Sequence, residues 1–178
     1  MSVDVTLVAL LAVVAILAVA LAGVRILPIH QRAVVFQLGR FKDVRGPGLV
    51  FIVPVLQEMK RVDLRPAVIE LPPQEFTSSD GEAANASAKF SFQVLDPEKA
   101  LTDVADYRQA ASQFARVTVK TVLGMHPLDE ILSERERIGS EALAAMEAQM
   151  ARWGLHVDKV EIARVAPARD AFPRGMLT

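Results

Sequence analysis

The side chains that most often carry out chemistry in proteins are sparse in this sequence. Its three histidines, His30, His126 and His156, are far apart in the chain, and none lies at a metal-binding spacing from a second ligand. The chain has no cysteine, so it has no disulfide, thiolate nucleophile or cysteine-ligated zinc. It also lacks a Gly-x-Ser-x-Gly elbow and a Gly-rich phosphate loop. We therefore expect no catalytic residue, no metal site and no cofactor.

Two further patterns bear on chemistry. Residues 129–137 are rich in acidic and basic side chains, which is more typical of a capped, salt-bridged helix surface than of a catalytic cluster. Gly46-Pro47-Gly48 is a poor nucleotide cradle, because Pro47 has no amide N–H for a phosphate. Sequence order leaves a Ser-His-Asp or Ser–Lys arrangement open. A membrane-associated serine hydrolase or protease is therefore the alternative function.

The most apolar part of the chain is its beginning. Residues 5–24 form one uncharged run between Asp4 and Arg25, with Thr6 as the only polar side chain. A helix of about 20 residues is ~30 Å long, which matches the hydrocarbon core of a bilayer. The run predicts an N-terminal transmembrane helix over residues 1–27. A cleaved signal peptide is the alternative, since Ala18-Val19-Ala20 resembles a cleavage site, although no Lys or Arg precedes the run.

The basic residues all follow this run. The five closest to it are Arg25, Arg32, Arg40, Lys42 and Arg45. Because positive residues stay on the cytoplasmic side, we expect a single-pass protein of the cell membrane, with its N-terminus outside and the rest cytoplasmic. Three of them, Arg40, Lys42 and Arg45, could also rest on anionic headgroups, at about 1 kcal/mol each. The net charge of −1 gives no support to nucleic-acid binding.

The part of the chain after the anchor predicts β structure. Val34, Phe36 and Leu38 share one face at a period of two. The apolar run 49–53 is stopped by Pro54, so it is either a buried strand or an interfacial patch. Further strands are predicted over 55–64, 67–71 and 88–95, with Pro72-Pro73 breaking the pattern.

After Asp96 the period changes to about 3.6, which predicts helices. Asp96, Asp106 and Ser133 are expected to cap three of them, and Gly154 to end the last. A final strand follows over 155–165, with a phase slip that predicts a bulge near Asp158-Lys159. The fold class is therefore α+β: a transmembrane helix, an antiparallel β cluster, helices and a final strand.

Several of these segments together resemble the stomatin-like (slipin) branch of the SPFH, or band 7, superfamily, which groups stomatins, prohibitins, flotillins and HflK/C. The matching segments are residues 32–40, 46–49, 62–65, 72–75, 96–97, 107–108, 122–124, 129–138, 153–154 and 160–162. The most specific of them is the Leu-Asp-Glu-Ile-Leu-Ser-Glu-Arg-Glu segment, residues 128–136.

The resemblance implies a non-enzymatic membrane scaffold or accessory subunit with an SPFH domain at 28–166 and a short tail at 167–178. Such proteins organise membrane microdomains and dock onto larger complexes, among them respiratory complexes, membrane proteases and NfeD-like proteins. It also implies that the apolar segment Leu49, Val50, Phe51, Ile52 and Val53 contacts the inner leaflet.

The chain departs from the family pattern in two places. Residues 77–84 are weaker as a strand than in the family. The long C-terminal helix that drives assembly does not follow residue 166, so we expect a short homologue or a truncated chain that forms at most a weak homo-oligomer through the charged helix 133–152.

A partner helix has a better surface in the anchor, where Ala9, Ala12, Ala18 and Ala22 form a small-residue face. A stand-alone lipid-binding module is the remaining alternative.

Overall fold

The computed structural model describes residues 7–11, 13–14, 23–53 and 56–167. The chain divides into two compact units, an N-terminal unit of residues Met1–Leu64 and a C-terminal unit of residues Arg65–Thr178. Antiparallel sheets occur in both units, and the helices labelled below lie in the second, which confirms the α+β class. The predicted domain limits at 27 and 166 stay predictions.

The N-terminal unit contains a two-stranded ribbon and a three-stranded sheet. Strands β1 and β4 pair to form the ribbon, and the sheet has the order β3-β2-β5. Their bounds are β1 Val24–Leu27, β2 Gln31–Gln37, β3 Arg40–Arg45, β4 Gly48–Phe51 and β5 Gln57–Asp63. All of these pairings are antiparallel.

The central strand β2 does not follow the simple alternation that the sequence predicts. Ala33, Val34 and Val35 are all fully buried, so both faces of the strand are covered there. A register irregularity with β3 falls between Val35 and Phe36, and Leu38 lies beyond the strand in an exposed turn. The prediction that Leu38 shares a strand face with Val34 is therefore wrong, because the strand ends at Gln37.

A small core connects the ribbon to the sheet. It consists of Leu27 from β1, Ala33 from β2, Val50 from β4 and Ile52, with Met59 of β5 packed against it. The ribbon is therefore held to the sheet through one of its two faces.

The C-terminal unit is a sheet of order β6-β7-β8 with four helices. The bounds are β6 Ala67–Thr77, β7 Ala83–Val94, α1 Pro97–Thr102, α2 Tyr107–Met125, α3 Leu128–Ser133, α4 Arg135–Arg152 and β8 Leu155–Pro167. Helix α2 packs on β6 and α4 packs on β8, so alternate residues of the sheet are buried beneath the helices. The predicted stripe Ile138, Ala142, Met146 and Met150 of α4 is buried, as expected.

Strand β6 runs through Pro72-Pro73, where the sequence predicts an interruption. The ladder with β7 is irregular between Leu71 and Gln74, so the two prolines lie where regular pairing is absent. Proline lacks the N–H that a ladder needs, and β6 is an edge strand of this sheet, where that loss is tolerated.

Strand β8 confirms the predicted bulge and adds a second one. Ser91 pairs with Lys159 and Phe92 with Val157, which leaves Asp158 as the extra residue. Ser87 pairs with Arg164 and Ala88 with Ile162, so Ala163 is extra as well. Each bulge returns the next apolar side chain to the buried face.

Two of the three predicted helix caps are confirmed. The Asp96 carboxylate accepts hydrogen bonds from the amides of Glu98 and Lys99, and Asp106 does the same for α2. Ser133 instead ends α3, and its hydroxyl donates to carbonyl oxygens of that helix, so the prediction that it caps the next helix is wrong. Gly154 follows α4 at a φ of 68°, the left-handed conformation expected of a residue after a helix.

A compact turn joins β6 to β7 in the region where the sequence departs from the family pattern. Ser78 is buried, and its hydroxyl donates to the Asp80 carboxylate and to the Glu82 carbonyl. The other oxygen of Asp80 accepts from the amide of Leu128, the first residue of α3, at 3.3 Å. The Ser78 hydrogen bond holds the pKa of the Asp80 carboxyl below its ordinary value.

The packing of α4 against β8 depends on a glycine. A Cβ at residue 139 would lie 2.6 Å from the backbone carbonyl oxygen of Val160, closer than a carbon contact allows. At Gly124 of α2, a Cβ would lie 3.4 Å from its nearest neighbour, which is ordinary contact. These two helical glycines therefore differ in what a methyl group would meet.

We expect Gly139→Ala to lower the free energy of unfolding by about 1–3 kcal/mol, because the helix must move away from β8. Gly124→Ala should be neutral or raise it by up to about 1 kcal/mol, because alanine has the higher helix propensity. Chemical denaturation of the full chain in detergent, followed by circular dichroism, compares the two. Equal effects of the two substitutions would contradict the close contact.

The acid stability of the C-terminal unit should depend on Glu161. Hydrogen bonds from Lys159 and Lys89 lower the pKa of this carboxyl from 4.5 to about 2. A lowered pKa in the folded state stabilises the protein above pH 4.5, and this contribution is lost as the pH falls towards 2. In melting experiments over that range, the wild-type Tm should therefore fall more steeply than that of Glu161→Gln. Parallel profiles would show that the ion pairs are not maintained in solution.

Candidate membrane-contact surface

The predicted contact segment 49–53 presents only some of its side chains at the surface. Leu49, Phe51 and Val53 are 73%, 46% and 37% exposed, whereas Val50 and Ile52 are buried in the core of the N-terminal unit. Because successive residues of an extended chain point to opposite faces, the five side chains cannot share one surface. Val50 and Ile52 are therefore core residues, and the candidate surface retains the other three.

Strand β1 contributes two side chains that the sequence analysis assigned to the anchor and its flank. Val24 pairs with Phe51 and Ile26 with Leu49, so all four side chains lie on the same face of the ribbon. Ile26 is strongly exposed and Val24 is at the margin of exposure. Val24 and Ile26 lie two residues apart, but Leu27 interrupts the apolar/polar alternation, so the sequence gives no clear signal for this strand. We name Val24, Ile26, Leu49, Phe51 and Val53 the apolar ribbon face.

The ribbon face is connected to the residue at which the chain emerges from the apolar N-terminal run. The amide of Ile52 donates to the carbonyl oxygen of Gly23 at 2.8 Å. A side chain at residue 23 would collide with that same segment, at the Ile52 carbonyl and the Phe51 ring. The ribbon face therefore lies immediately beside the end of the run.

The three predicted basic contacts differ in their surroundings. Arg40 and Lys42 are exposed on β3. Arg45 is engaged within the protein, since its Nη1 donates to the Phe51 carbonyl oxygen at 2.6 Å and its Nε lies 3.7 Å from an Asp43 carboxylate oxygen. Arg40 and Lys42 are thus free to contact anionic headgroups, while the Arg45 side chain is hydrogen-bonded to the end of β4.

The predicted anchor and its partner face lie mostly outside the described residues. Ala9 is helical and exposed, and Ala12, Ala18 and Ala22 are not among the residues described. Within the part of the chain that the structure describes, no helix has the length and apolar character needed to cross a bilayer.

His126 and Arg137 lie close to several carboxylates in the C-terminal unit. His126 has Nδ1 3.2 Å from a Glu130 carboxylate oxygen and Nε2 3.0 Å from one of Glu141. Arg137 contacts Glu130 and Glu134, as the sequence predicts for a salt-bridged helix surface. Across the described ranges, no group of three histidine, aspartate or glutamate side chains could hold a metal ion.

Comparison with known proteins identifies the family. The profile described as "SPFH domain / Band 7 family" matches residues 25–173. A stomatin homologue of Pyrococcus horikoshii is 38% identical over 154 residues, which cover 86% of this chain and 56% of the relative. Stomatin-1 of Caenorhabditis elegans is 37% identical over 140 residues, covering 78% of this chain and 42% of the relative.

Stomatin-like protein 1 of Mus musculus is 33% identical over 153 residues, covering 84% of this chain and 38% of the relative. The chain thus spans at most about half the length of these named relatives, 56%, 42% and 38% in turn. The profile match covers most of the chain, and the identities exceed 30% over three quarters of it or more. The chain belongs to the SPFH domain / Band 7 family, on its stomatin-like branch.

Proposed function

We propose that this protein is a non-enzymatic membrane scaffold or accessory subunit that lies on the inner leaflet and docks onto a larger membrane protein complex. The observation that carries the proposal is the position of the apolar ribbon face. Its exposed side chains lie next to Gly23, the last residue of the apolar run before strand β1 begins at Val24. A bilayer that holds the part of the run before β1 would have this face at its surface.

The ribbon face has the chemistry of a membrane contact. Removing one side chain of the Val, Leu, Ile or Phe type from water contributes roughly 1.5–3 kcal/mol when it is fully buried. Partial insertion of several such residues is enough to orient a domain that an anchor already keeps at the surface. Arg40 and Lys42 add attraction to anionic headgroups, at about 1 kcal/mol for each residue near the surface.

The proposed topology follows from the charges around the run. Asp4 precedes it, and Arg25 and Arg32 follow closely. This asymmetry favours an outside N-terminus with the SPFH domain in the cytoplasm.

The proposed partner is a larger membrane complex, such as a respiratory complex, a membrane protease or an NfeD-like protein. Association in lipid depends on close backbone approach, which small side chains permit. Ala9, Ala12, Ala18 and Ala22 supply such a face in the anchor.

We expect the full chain to remain in the pellet after alkaline carbonate extraction, because an apolar helix of this length is retained by the bilayer. Protease added to intact cells should spare the SPFH domain, and protease added to inverted vesicles should digest it. Release by carbonate would contradict the anchor, whereas digestion in intact cells would contradict the orientation.

Purification in mild detergent should retain the partner complex, and enlarging the small-residue face should lose it. The test variant carries Ala9→Leu, Ala12→Leu, Ala18→Leu and Ala22→Leu. Its control carries Val13→Leu and Val14→Leu, which keep the run apolar and lie on the other half of the helix circumference. Mass spectrometry identifies the co-purified proteins. Equal recovery with both variants, or a large homo-oligomer without partner, would argue against docking through the anchor.

A further inference from the structure

The most unusual residue outside the ribbon face is Leu38. It occupies the first position of the two-residue turn between β2 and β3, with φ 51°, and Gly39 follows with φ 78°. Among the described residues, Leu38 is the only one other than glycine with a positive φ. A turn of this kind requires positive φ at both central residues and favours Asn-Gly, so leucine is a poor choice for the backbone.

The side chain of Leu38 does not compensate for this conformation by packing. It is 76% exposed, so the turn holds a large apolar group in water. A strained backbone and an exposed leucine at one position are both unfavourable to the isolated fold. Residues that are kept in such a state are often functional.

Leu38 is joined to a second exposed leucine. The amide of Leu38 donates to the carbonyl oxygen of Leu56 at 3.2 Å, and the Leu56 side chain is 48% exposed. The amide of Leu56 in turn donates to the carbonyl oxygen of Val53 at 3.3 Å. Hydrogen bonds thus lead from Leu38 through Leu56 to Val53 of the apolar ribbon face. We name Leu38 and Leu56 the leucine tip.

The surroundings of the leucine tip are rich in basic side chains. Leu38, Arg40 and Lys42 line one shallow depression, and Arg40 pairs with Gln37 across the turn. Lys60 of β5 is exposed, with its Nζ 5.6 Å from the centre of the Phe36 ring. The exposed acidic residues nearby are Glu58, opposite Phe36, and Asp43, which lies beside Arg45. Apolar groups with a basic border match the boundary between acyl chains and anionic headgroups.

We propose that the leucine tip is a second lipid contact, which inserts at the headgroup–acyl boundary of the leaflet that the apolar ribbon face touches. The proposal rests on the proposed function, because it extends the same membrane surface. Two contacts at different points of the N-terminal unit would fix its tilt on the bilayer more firmly than the apolar ribbon face alone. The turn directs the Leu38 side chain outward.

The absence of cysteine permits an unambiguous test. Leu38→Cys, Phe51→Cys and Leu95→Cys are each labelled with an environment-sensitive fluorophore in the full chain. The vesicles contain equimolar phosphatidylcholine and phosphatidylglycerol. Leu95 is the matched control, since it is 65% exposed in the C-terminal unit. We expect blue-shifted emission and quenching by brominated lipids at positions 38 and 51, and neither change at 95.

The outcomes separate this inference from the proposed function. Quenching at 51 but not at 38 overturns the leucine tip and leaves the ribbon contact standing, whereas quenching at neither position overturns both. Equal quenching at 95 shows a non-specific contact and overturns the assignment. Shielding of position 38 in native membranes but not in pure-lipid vesicles means that a protein covers the leucine tip. This result overturns the proposal that the tip contacts lipid.

A second variant tests the strained turn without a label at residue 38. Leu38→Asn should raise Tm in detergent by about 3 °C, because asparagine tolerates positive φ. In vesicles, the same substitution should reduce the bromolipid quenching of a label at Leu56→Cys. A lower Tm would show that leucine serves the fold, and unchanged quenching at 56 would show that Leu38 does not hold the tip in lipid. Either result contradicts the proposal.

Discussion

In the N-terminal unit, the antiparallel pairing of β1 with β4 assigns every apolar side chain of the two strands to one of two faces. Leu27 and Val50 point into the small core, so their neighbours Ile26 and Leu49 must point away from it. Because both strands are apolar on both faces, no choice of register buries all of these residues. The exposed ribbon face is therefore a direct consequence of forming the core.

In the C-terminal unit, the sheet packs against helices of the same unit. Alternate residues of the sheet are covered by α2 and α4, and two bulges in β8 keep five apolar side chains on the buried face. Gly139 allows α4 to approach the Val160 carbonyl, and Gly154 allows the chain to turn back beside Asp96. The opposite face of the sheet carries ion pairs such as Lys89–Glu161.

Local sequence signals predicted the features that depend on nearby residues. The caps at Asp96 and Asp106, the glycine after α4 and the bulge at Asp158 each rest on contacts within a few positions or on a strict period. The predictions were less accurate for features whose structure depends on residues distant in the sequence. β1 and β3 were not anticipated, since β1 has only four residues, three of them apolar, and β3 is a basic stretch without a clear alternation. Ser133 resembled an N-cap, but α3 ends at it and leaves its hydroxyl to its own helix.

By itself, the sequence determined the fold class, the family and the apolar N-terminal run, because these depend on composition, period and motif order over long stretches. It also pointed to residues 49–53 as a membrane contact. Only the tertiary structure decided which of them face outward, because burial depends on the strand that each one pairs with. Val24 and Ile26 of β1 belong to the exposed face, whereas Val50 and Ile52 are buried in the core. Leu38 lies in a left-handed turn because β2 and β3 pair at Gln37 and Arg40, which leaves only Leu38 and Gly39 to connect the two strands.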